Sequence, residues 1–160
     1  VAPIGRAKER PDLLLDGEQL HAALEFIRRH RGRHGDLDIS FACDHYTGER
    51  FEPHVRRHRF ACWAGVRSGG IFHDGDIGAC PDIPRDYVQG NIRDDDFMDV
   101  WEQRFEMYRD RRWMHVGRCA GCEHERRCDG GGLHFFDPER GELSRCHVKL
   151  MEDAGLDPNG

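Results

Sequence analysis

The stretch RCAGCEHERRCDGGGLHFF, residues 118–136, places three cysteines within ten residues and follows them with three consecutive glycines. A chain of this length needs neither feature merely to fold. Cys119-x2-Cys122-x5-Cys128, completed by Cys146, supplies four thiolates. Two residues between Cys119 and Cys122 let both sulfurs bind one centre, and amides in such a turn favour the thiolate form. Four soft sulfur ligands select zinc or an iron–sulfur cluster over hard cations. The spacing alone leaves both open.

Composition points the same way. The 160 residues bound the chain to one medium domain, or one domain with part of another. With 38% hydrophobic and 34% charged residues, a core of side chains alone would be modest. Seven cysteines is an odd number, and the C-x2-C spacing without a secretion signal favours metal over disulfides. The net charge of −6 argues against a nucleic-acid partner. The basic clusters at 28–31, 56–59 and 109–112 each lie beside acidic residues and read as solvated surface. No apolar run approaches a membrane span. The chain opens on Val1 and reads as a cytoplasmic piece of a longer polypeptide.

Upstream of the cysteines, Asp16 and Gln19 form a capping-box pair before a helix over 17–31, with Leu20, Ala23, Leu24 and Ile27 on its apolar face. Residues 37–41 alternate as a strand, which suits the tail of an α/β unit. Residues 44–61 read as a loop. A hairpin turns at Asp74-Gly75, with Cys62 before it and Cys80 after it. A second helix follows, capped by Asp94 or Asp95, with Phe97, Val100, Trp101, Phe105 and Tyr108 facing a core. Turns and a short strand lead to Cys146, and a last helix over 147–154 ends at Gly155.

The combined order C-x12-G-x4-C, gap, C-x2-C-x5-C, gap, C resembles the SPASM domain, the C-terminal extension of many radical S-adenosylmethionine enzymes that modify peptides and proteins. CWAG (62–65), DGDIGACP (74–81), GNI (90–92), VW (100–101) and CDGGG (128–132) are similar to that family's phrasing across residues 60–150. APIGRA (2–7) and the helix and strand after it resemble the last unit of the partial barrel that precedes such a domain. The resemblance implies an α+β fold. Residues 1–42 would be the remnant of a truncated radical SAM barrel, and 43–160 a small, loop-rich auxiliary cluster domain with a β-hairpin and short helices.

It also implies two auxiliary 4Fe–4S clusters. Cys119, Cys122, Cys128 and Cys146 would hold the second, and that set is complete. The first would take Cys62 and Cys80, but the family's further cysteines are missing: Gly132 stands at one position, and residues 52–60 contain none. Cys43 is left over as a candidate ligand, with His54, His58 and His134 as further donors. The C-x3-C-x2-C motif that binds S-adenosylmethionine is absent, so these residues alone would not be catalytic. The Gly130–Gly132 run would let the backbone bend close around a cluster. The implied roles are electron transfer and placement of a peptide or protein substrate. The implied partner is the N-terminal barrel, on which the apolar face of helix 17–31 would pack. The alternatives are a zinc-stabilised interaction module without redox function and a fragment whose auxiliary site has become purely structural.

Overall fold

The computed structural model describes residues 4, 5, 7, 10–42 and 45–160. It is a small α+β structure. Six short helices (α1 Gly17–His30, α2 Glu52–Val55, α3 Phe97–Gln103, α4 Glu106–Arg109, α5 Glu125–Cys128, α6 His147–Asp153) accompany two small antiparallel sheets among the described residues. None of these helices is long and apolar enough to cross a membrane.

Helix α1 begins where the sequence says it should. The Asp16 carboxylate accepts from the Gln19 amide at 2.8 Å, and the Gln19 side chain accepts from the Asp16 amide at 3.1 Å. Both bonds satisfy donors that the first helical turn leaves orphaned. The apolar face of α1 does not wait for a barrel. Leu20 and Leu24 are buried against Phe51 and Val55 of the α2 region and Met151 of α6. The approach is close at Gly17, where a Cβ would lie 2.1 Å from the Leu150 carbonyl. The helix is therefore covered within the chain, which corrects the expectation of an open face.

A second correction concerns residues 37–41. They belong to no strand; the Leu37 N–H donates to the His34 carbonyl at 3.1 Å and the Phe41 N–H to the Val55 carbonyl at 2.7 Å. Alternation alone gave the strand reading, and a strand needs a neighbour to complete its ladder. No barrel occurs among the described residues. The stretch read as loop at 44–61 contains α2, organised by the buried Glu52 carboxylate. That group accepts from the Thr47 amide and hydroxyl (3.1 and 2.8 Å) and the Phe60 amide, and pairs with Arg56 at 3.2 Å.

The hairpin forms as expected. β1 (Gly70–Ile71) pairs antiparallel with β2 (Asp76–Gly78) across the Asp74-Gly75 turn, and β3 (Gly90–Asn91) adds to the other edge of β2. The cap of α3 is Asp96, whose carboxylate accepts from the Met98 and Asp99 amides. Asp95 instead accepts from the Asn91 amide at 3.0 Å and pairs with Arg104. Val100, Phe105 and Tyr108 are fully buried, with Phe97 and Trp101 partly so, as the apolar spacing requires. They share a core with Ile77, Met114, Leu133 and Phe135. β4 (Phe136–Asp137) and β5 (Glu142–Leu143) make the second hairpin, which returns the chain to Cys146 and α6.

Candidate metal centre

Three separate segments bring the four C-terminal cysteines to one place. Cys119 ends a single 3₁₀ turn, Gly117–Cys119, and the Cys122 amide donates to its carbonyl at 3.2 Å. Cys128 is the last residue of α5, and Cys146 is the N-cap of α6. All four thiols are free and half-buried, and all four line the same cavity with His45, His115, Arg118, His124 and Lys149. Among the described residues, the one group of three His, Cys, Asp or Glu ligand atoms within 4.8 Å of one another is Glu123, His124 and Glu152.

The thiols feel one another. Burial, then the neighbouring Cys146 and Cys122, push the Cys119 thiol up to about 11. Burial pushes Cys128 higher still, with Cys146, Cys119 and Cys122 adding to it. Cys146 is raised by burial too, but the Lys149 and Val148 amides at the start of α6 oppose the rise. The amides that favour a thiolate thus include those at Cys146, which the C-x2-C spacing did not suggest. Without metal the Cys119, Cys128 and Cys146 thiols are protonated at neutral pH. Loading the cavity releases protons and is favoured as pH rises. Arg118 and Lys149 on the cavity wall supply positive charge to balance thiolates.

The remaining candidates lie elsewhere. Cys62 is half-buried between two hydrophobic clusters, and its carbonyl accepts from the buried Arg111 guanidinium at 2.6 Å. Cys80 follows β2, with its thiol 3.9 Å from an Asp82 carboxylate oxygen. Neither lines the cavity of the other four. His54 and His58 are exposed, whereas His134 is half-buried. Cys43 lies outside the described residues.

Sequence reasoning missed His45 and His147. His45 is fully buried; its Nδ1 accepts from the Tyr46 amide at 2.8 Å and stands 3.6 Å from the Cys128 sulfur. Burial holds the imidazole down to about 3, so it is neutral. Its ring contacts that of His147, whose centroid is 5.4 Å away. His45 sits in sequence read as loop and His147 is a polar residue at the start of α6, so neither carries an apolar burial signal. The glycine run serves this pair as well as the cavity. Gly130 lines the cavity, but Gly131, at φ +75°, lies against the His45 ring, where a Cβ would come within 2.4 Å of its Cε1.

Residues 62–123 match the family model of the SPASM domain, described as an iron–sulfur cluster-binding domain. The match is consistent with a SPASM domain in that part of the chain, which contains Cys62, Cys80, Cys119 and Cys122. Cys128 and Cys146 lie beyond the match; the shared cavity is what joins them to Cys119 and Cys122. No curated protein and no solved structure matches the chain.

Proposed function

We propose that the chain is the auxiliary-cluster part of a radical S-adenosylmethionine enzyme that matures a peptide or protein. In this reading Cys119, Cys122, Cys128 and Cys146 would hold a 4Fe–4S cluster, which would supply electron transfer, while the domain would help to position the substrate. The cluster supplies a one-electron redox centre. The chain supplies four thiols, the cavity that limits water and the cations that offset charge.

The shared cavity carries this reading: all four cysteines line it, delivered from three separate segments. Four thiolates suit a polynuclear centre in which each binds a different iron. The match to an iron–sulfur cluster-binding domain supports that choice over zinc. The first site, with Cys62 and Cys80 outside this cavity, is the weaker or incomplete one. S-adenosylmethionine would bind in a barrel outside these residues, because the sequence lacks the C-x3-C-x2-C motif.

Electron paramagnetic resonance of the anaerobically isolated chain, before and after reduction with dithionite, tests the redox role. A signal that appears on reduction and is lost in Cys122→Ser is expected. A chain that binds metal yet stays silent and colourless in both states would favour the zinc-stabilised module.

A further inference from the structure

A second set of ligating side chains lies beside the cysteine cavity. Glu123 follows Cys122, His124 is the N-cap of α5, and Glu152 lies near the end of α6. One ligand atom from each lies within 4.8 Å of the other two. This is more than a patch of surface acids, because the His124 side chain is only 7% exposed. The Tyr46 ring stands against it, with centroids 5.6 Å apart. Its Nε2 lies 3.9 Å from Glu123 Oε1 and makes a long hydrogen bond, 3.4 Å, with the Asn159 side-chain amide nitrogen.

The charge balance leaves room for a cation. Glu152 pairs with Lys149 at 2.6 Å. That ammonium also lines the cysteine cavity, where Cys122 and Cys146 act on it. Thiolates in the cavity would give Lys149 a second anionic partner and free Glu152 for another ligand role. Imidazole with carboxylates suits zinc or manganese better than it suits soft, thiophilic ions.

We infer that Glu123, His124 and Glu152 form a mononuclear divalent-cation site separate from the four-thiol cavity. A cation there links the Cys122 turn, the start of α5, which ends at Cys128, and α6, which follows Cys146. It therefore clamps three of the segments that carry the cavity cysteines. The site does not depend on which metal centre the cysteines hold.

Manganese(II) is the probe, because carboxylates accept it and thiolates do not favour it. Free manganese is counted by its paramagnetic resonance in titrations of the purified chain, and iron is measured on the same samples. The wild type should bind about one manganese per chain. Glu123→Gln with Glu152→Gln should weaken binding roughly tenfold or more, and Lys149→Met should strengthen it. Both carboxylates are at least partly exposed, so these variants test the site without opening the core. A wild type with no stoichiometric manganese, or a double variant that binds as tightly, would overturn the inference. A wild type that binds manganese but holds no iron would support this site and count against the proposed function.

Discussion

At the scale of single residues, the four cavity cysteines and their neighbours make separable demands. Cys122→Ser removes a ligand from a region whose two hairpin strands and short helices offer little apolar packing, so metal binding supplies much of its order. This variant should lose its metal and become sensitive to protease between residues 117 and 146. Cys62→Ser should leave the same region protected, since Cys62 does not line that cavity. Mass spectrometry of limited digests distinguishes the two, and equal protection in both variants would break the ligand assignment. Gly131→Ala forces a Cβ into the His45 ring at a left-handed backbone position. Overpacking of this kind costs about 1–3 kcal/mol. Thermal unfolding should show a lowered midpoint, and the displaced His45 should also disturb Cys128.

At the scale of elements, α1 gives the clearest comparison of sequence with structure. Its start was legible because a capping box is a local device: Asp16 and Gln19 need only each other and the backbone between them. Its packing partner was not, because Met151 lies far along the chain and nothing in the spacing of Leu20 and Leu24 says what they meet. The strand reading at 37–41 failed for the same reason, as alternation cannot supply the pairing neighbour. The cysteine set was legible through its spacing. The burial of His45 and His147 was not, since a histidine in a loop or at a helix start carries no apolar signal of the face it turns inward. Two substitutions test α1. Asp16→Ala should cost about 1 kcal/mol by removing the cap, and Leu24→Ala about 2–5 kcal/mol by opening a cavity against α2 and α6. Urea unfolding of the metal-loaded chain measures both. A Leu24→Ala cost no larger than the cap's would mean that α1 is not docked on α6.

At the scale of the whole molecule, α6 joins two parts of the structure. One face packs Met151 against α1, and its first residues follow Cys146 and carry Val148 into the cluster of Tyr46 and Phe60. Metal binding at the cavity should therefore be felt in α1, although α1 lies far from the cavity cysteines in sequence. Hydrogen exchange should show the amides of Leu20 and Leu24 slowing when metal is loaded, together with those of α6; exchange in α1 unaffected by metal would mean that the two parts are independent. The central claim concerns the centre itself, and counting atoms tests it most directly. The chain is reconstituted anaerobically with iron and sulfide, freed of unbound metal, and assayed for iron, acid-labile sulfide and zinc. About four iron and four sulfide per chain are expected for one cubane, with a broad brown absorption band that Cys122→Ser abolishes. Tight binding of a single zinc, with no sulfide retained and no visible band, would contradict the account.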